Sequence, residues 1–128
     1  LVWGEDERLA REETGNLAER TQTDGRNRVA YLHSLAVLSE WDGELEKAIG
    51  QMREAESLTE EIGLPGELWQ IRAKIGELHE RHGEVREARE AFSRAAQTLR
   101  DLAAKIKDER LRESFLSAPR ARRVLGHV

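Results

Sequence analysis

The chain has 128 residues, 36% of them charged and 38% hydrophobic, with a net charge of −4 and no cysteine. That length fits one domain, the absent thiols exclude disulfides and thiolate metal sites, and the acidic balance disfavours non-specific nucleic-acid binding. No run approaches the roughly twenty apolar residues that span a bilayer, and no signal-peptide pattern opens the chain, so a cytoplasmic setting without a membrane partner is expected.

The first predicted element is a helix over 5–22, with Leu9, Ala10, Thr14, Leu17 and Ala18 as a narrow apolar stripe. Gly15 lies inside it at a cost of about 1 kcal/mol relative to alanine. It reads as the second helix of a partial repeat. The first residue is Leu1 and the only methionine is Met52, so a piece of a longer polypeptide is expected. Asp24-Gly25 is expected to break the pattern.

A helix over 27–41 follows, carrying Val29, Leu32, Leu35, Ala36 and Leu38, and Gly43 is placed to cap it in a left-handed conformation. Its partner runs from about 44 to 62 and is expected to bury Leu45, Ala48, Ile49, Met52, Ala55, Leu58 and Ile62. Gly63, Pro65 and Gly66 make the strongest break in the chain. The next helix carries Leu68, Ile71, Ile75 and Leu78 and turns at Gly83. Val85, Ala88, Phe92, Ala95, Ala96, Leu99, Leu102 and Ile106 are expected to line the one after it. A short helix over 108–117, with Leu111, Phe115 and Leu116 on one face, is expected to cap the end before Pro119 stops it. Residues 119–128, with Arg120, Arg122 and Arg123, are expected to form a tail.

Residues 29–62 laid over 69–102 are self-similar: Leu38 meets Leu78, Glu40 meets Glu80, Gly43 meets Gly83, Ala48 meets Ala88 and Ala55 meets Ala95. Such units bury their apolar faces only by stacking on one another. The expected fold class is therefore all-α, a right-handed α-solenoid of stacked antiparallel helix pairs with a C-terminal capping helix. The domain is placed over 1–118, with a partial repeat at 5–22, repeats at 27–62 and 67–106, and the cap at 108–117.

Ile75-Gly76, then His79, Gly83, Ala88, Phe92 and Ala95, resembles the signature of the tetratricopeptide repeat family. The first unit, with Ala36, Ser39, Gly43, Ala48, Met52 and Ala55, matches it less well. Both units lack the family's closing proline, and the forty-residue spacing exceeds the family's 34. Residues 67–119, with Leu68-Trp69-Gln70-Ile71-Arg72 and the later 108–116 segment, resemble the C-terminal ends of large bacterial signalling proteins, in which cyclase, kinase, ATPase or DNA-binding modules precede such repeats. The resemblance implies a non-catalytic interaction scaffold that binds a protein or peptide, or another domain of the same parent chain, and takes no cofactor. It places a groove along Ala30, His33, Val37 and Glu40 from one unit and Gln70, Ala73, Glu77 and Glu80 from the next. Three carboxylates make that groove acidic, so a basic or mixed-charge partner is expected.

Other features are read more plainly. His79 and His82 are three apart, but no third ligand has a supporting motif, so His79 is expected to pack structurally and no metal site is assigned. Trp69 is expected to pack on the preceding helix pair and Trp41 to cover the turn at Gly43. Trp3, Leu9 and Leu17 mark the N-terminal end as the face for self-association, the alternative to peptide binding, with a homodimer as its product. A third reading is a small-molecule sensor pocket closed by Trp69 and lined by His33. No phosphate-binding loop and no nucleophile–base pair stands in the sequence.

Overall fold

The computed structural model describes residues 22–126. The helix expected over 5–22, with Leu9 and Leu17, lies outside the described residues except for Gln22, and Trp3 lies outside them too. Among those described, every regular element is a helix: α1 (Gln22–Trp41), α2 (Leu45–Ile62), α3 (Pro65–Arg81), α4 (Val85–Ala104), α5 (Glu109–Ser117) and α6 (Pro119–Gly126). None is long and apolar enough to cross a membrane.

The turns follow from glycines that take positive φ, at 79° for Gly43, 84° for Gly63 and 79° for Gly83. No β-carbon opposes that conformation, so each helix can close its last carbonyls on the chain that leaves it. Glu44 N–H donates to Ser39 O at 2.8 Å and Gly43 N–H to Glu40 O at 3.1 Å. Glu84 N–H to His79 O at 2.9 Å and Gly83 N–H to Glu80 O at 3.1 Å repeat the same paired closure. At the third turn, Gly63 and Leu64 both donate to Thr59 O, and Pro65 then opens α3, where its missing N–H leaves nothing unsatisfied.

Two expected breaks are not breaks. α1 begins at Gln22 and runs through Asp24-Gly25. A β-carbon on Gly25 would fall on the Ile62 side chain, so the glycine serves a close approach of α1 to the end of α2 rather than a turn. Pro119 likewise starts a helix instead of a tail, the first turn being the one place where a helix takes proline freely. Ala118 O accepts from Arg122 N–H at 2.9 Å, which closes that first turn.

Packing runs along the chain: α1 on α2, α2 on α3 and α3 on α4, with α5 and α6 both against α4. One core cluster joins Val29, Leu32 and Ala36 of α1, Ala48, Ile49, Met52 and Ala55 of α2, and Ile71, Ile75 and Leu78 of α3. A second joins Trp69 and Ala73 of α3, Ala95, Ala96 and Leu99 of α4, and Ala121 and Val124 of α6, with Phe115 and Leu116 of α5 against it. Arg72 ties three helices together: it donates to Glu56 at 2.9 Å and Glu60 at 2.7 Å on α2, and to the Thr98 hydroxyl at 2.7 Å on α4.

The short helix α5 forms as expected, and the Asp108 carboxylate caps it by accepting from Arg110 and Leu111 N–H. Of its expected apolar face, Phe115 and Leu116 pack on the second cluster, whereas Leu111 is exposed. α4 ends at Ala104, so Ile106 falls in the connection beyond it, where its carbonyl accepts from the Arg112 side chain.

Candidate functional site

The residues expected to line one groove divide into three environments. Ala30 and His33 on α1 are exposed, Val37 on α1 and Gln70 on α3 are half-buried, and these four are available to a partner. Ala73 is 1% exposed because α6 lies over it, with Ala121 and Val124 in the same cluster. The chain thus covers part of the expected groove with its own C-terminal helix.

Glu40 is the clearest departure. Its carboxylate is 9% exposed and accepts from Lys74 Nζ at 2.7 Å and from the Arg81 guanidinium. Burial raises its pKa, but the hydrogen bonds and charges of Lys74 and Arg81 outweigh that and hold the carboxyl below its ordinary value. Glu77 stands 4.0 Å from the same Lys74 ammonium. Glu80, one residue before Arg81, is exposed. The acidic groove read from three carboxylates is therefore largely neutralised from within, by cations on α3 that the sequence spacing did not connect to α1.

What remains open is a cleft of about 270 Å³ between α1 and α3. Val29, Met52, Leu64 and Ile71 make its apolar floor, and Ala30, Arg26, His33, Glu67, Gln70 and Arg120 its rim. Arg120 reaches in from α6 and donates to the Gln70 amide oxygen at 3.3 Å. His33 titrates below its ordinary value because of desolvation at the cleft and the nearby charges of Lys74 and Arg120. The rim is thus mixed in charge, with two arginines against one carboxylate.

Sequence reasoning found Ala30, His33 and Gln70 of this cleft and missed the rest of its rim. Arg26 is one turn before Ala30 on the same helical face, and it becomes visible once α1 is carried through Gly25. Glu67 stands three residues before Gln70 in the same way. Arg120 had no signal, because it belongs to a helix expected to be a tail.

His79 is buried and linked on both ring nitrogens. Arg53, which can only donate, lies 3.3 Å from Nε2, and Nδ1 lies 2.9 Å from a Glu84 carboxylate oxygen. A ring that accepts at Nε2 carries its proton on Nδ1 and gives it to Glu84. His82 Nδ1 shares that oxygen at 3.0 Å, and the two hydrogen bonds hold the Glu84 carboxyl below its ordinary value. The pair clamps the turn at Gly83, and among the described residues no cluster of three potential ligands could hold a metal ion.

The tryptophans are placed differently from expectation. Trp69 is buried in the cluster with α4 and α6, because α6 supplies the wall it packs on, and it does not line the cleft beside His33. Trp41 is 81% exposed and leaves the Gly43 turn uncovered.

No protein-family model, no curated protein and no solved structure matches the chain.

Proposed function

We propose that this chain is a non-catalytic helical-repeat scaffold that binds a protein segment in the cleft between α1 and α3. It would be a tetratricopeptide-like solenoid of antiparallel helix pairs and part of a larger bacterial regulator. The single observation carrying the reading is the cleft itself, an apolar floor with a mixed-charge rim formed by the first helices of two similar units. The repeated closure at Gly43 and Gly83 supports the solenoid assignment, since two units with one turn geometry are built to stack.

At about 270 Å³ the cleft falls just below the range of roughly 300–1,000 Å³ typical for drug-sized ligands. It suits one large apolar side chain of a peptide better than a whole small molecule. The paired arginines and Glu67 would orient charged residues on either side of that anchor. Packed helices hold the walls in place, so a partner loses little freedom beyond its own on docking.

The test is selection of peptides from a random displayed library on the full chain, repeated on Ala30→Trp. Ala30 is an exposed rim residue, so the indole fills the cleft over its apolar floor without replacing a buried side chain. The selected peptides should share an apolar residue with charged neighbours and should lose binding to the variant. Peptides that bind both proteins equally would overturn the assignment of the cleft.

A further inference from the structure

The charges around the α1–α3 cleft are unevenly placed. On α3, Glu67 and Lys74 are two helical turns apart, or about 10 Å along one side of the helix. Glu67 stands on the rim, and the charges that act on His33 are those of Lys74 and Arg120. Glu67 thus marks one end of the cleft and His33 the other, with Arg120 reaching Gln70 between them at 3.3 Å. The apolar floor joins the two ends.

His33 is held quite differently from His79. Both ring nitrogens of His79 are engaged, by Arg53 and Glu84, whereas among the described residues no hydrogen bond reaches the His33 ring. Around His33 stand Arg26 on its own helix, Glu67 and Lys74 on α3, Arg120 on α6 and, from α2, the uncharged Met52. Glu40 at 2.7 Å and Glu77 at 4.0 Å pair with Lys74 rather than with the imidazole. Desolvation and two neighbouring cations therefore keep this ring neutral until an anion arrives. A carboxylate within about 4–6 Å would favour the protonated ring, which then offers a charge-assisted hydrogen bond. A basic group at the same end would meet Lys74 and Arg120 and be repelled.

We propose that the segment docked in the cleft carries an aspartate or glutamate beside its apolar anchor, seated against His33 and Arg120, and that His33 takes up a proton from water as the segment binds. The inference rests on the peptide-binding reading of the cleft and adds the sign of the partner, its direction along the cleft and a dependence on pH.

The test uses displayed peptides of about eight residues, each with a central leucine, methionine or phenylalanine and random neighbours, selected on the full chain near pH 6. Selected peptides should carry an acidic residue on one side of the anchor. A synthetic copy of the best binder should bind about threefold to tenfold more tightly near pH 6 than near pH 8. By NMR the His33 ring should titrate higher in the complex than in the free protein. His33→Gln should abolish the pH dependence, and so should a peptide in which the acid is replaced by its amide. Selected peptides with basic or uncharged flanks, or an affinity equal at both pH values, would overturn the inference. If those peptides also fail to bind Ala30→Trp, the cleft reading itself survives. Peptides that bind Ala30→Trp as well as the unaltered protein would overturn both. A pH dependence that persists in His33→Gln would overturn the inference by assigning the proton to another group.

Discussion

The Phe92 ring lies directly on Gly76: three of its carbons stand 2.9 Å from where a β-carbon on Gly76 would be. The matched positions of the first unit hold Ala36 and Met52, both fully buried, so a smaller residue on one helix accompanies a bulkier one on the other. Gly76→Ala should therefore destabilise by about 1–3 kcal/mol through overpacking, despite alanine's advantage of roughly 1 kcal/mol in a helix. Phe92→Ala should cost about 3–5 kcal/mol. The double change Gly76→Ala/Phe92→Met, which copies the first unit, should be less damaging than the sum of its parts. Chemical denaturation of the unaltered protein, Gly76→Ala, Phe92→Met and the double variant tests this coupling, and strict additivity would contradict it.

Gly25→Ala provides the contrast. There the obstruction is the end of the Ile62 side chain, which can rotate away, rather than a ring held by its surroundings. The substitution should change stability by less than about 1 kcal/mol in either direction, the helix preference offsetting the small rearrangement. A loss as large as that of Gly76→Ala would mean Ile62 is held rigidly.

Glu40 links α1 to α3 through Lys74 and Arg81, and its carboxyl titrates below the ordinary value. A group with a lowered folded-state pKa contributes stability above its unfolded-state value, and that stability is lost as pH falls through the folded one. Denaturation midpoints should therefore decline as pH drops below about 4.5, and Glu40→Gln should reduce that decline. At neutral pH the substitution should cost about 1–3 kcal/mol, because it leaves Lys74 half-buried with a weaker partner.

His33 offers a test of where α6 sits. Desolvation comes first among the causes that lower its pKa, followed by Lys74 and Arg120. In Arg120→Ala an NMR titration should find His33 moved upward, toward 6.5, while Glu90→Ala on α4 should leave it in place. The linked stability is present above 6.5 and declines as pH falls through the lowered value. No upward movement in Arg120→Ala would place Arg120 away from the cleft.

Removal of residues 119–128 should lower the denaturation midpoint, since Val124 and Ala121 are buried against Trp69. Val124→Ala alone should cost about 1–2.5 kcal/mol, whereas Leu111→Ala, at an exposed position, should fall within about 0.5 kcal/mol. The same truncation should shift Trp69 emission to the red as its indole meets water.

The helices and two turns were legible because their signals are local. Gly43 and Gly83 each follow a long amphipathic run and precede another, and that order leaves a left-handed cap as the simplest meaning of the glycine. Gly25 carried a similar signal with a different meaning, since what it accommodates is Ile62, thirty-seven residues away. Pro119 was ambiguous for a comparable reason: proline both ends and begins helices, and the choice depended on whether Ala121 and Val124 had something to pack on. The candidate site was legible only in part. Ala30, His33 and Gln70 followed from helical register, but Glu40's pairing with Lys74 and Arg81, and Arg120's place on the rim, depend on contacts between helices that spacing alone does not specify.

The left-handed glycines at 43, 63 and 83 stand twenty residues apart, and between them nearly every helix packs on its sequence neighbour. During synthesis, each pair can therefore close soon after it leaves the ribosome, without waiting for distant chain. The exception is Trp69, whose covering residues Ala121 and Val124 are made more than fifty positions later. Until they emerge, a nascent chain ending after α4 carries a tryptophan covered on its α4 side alone, and that interval is when a chaperone has most to hold.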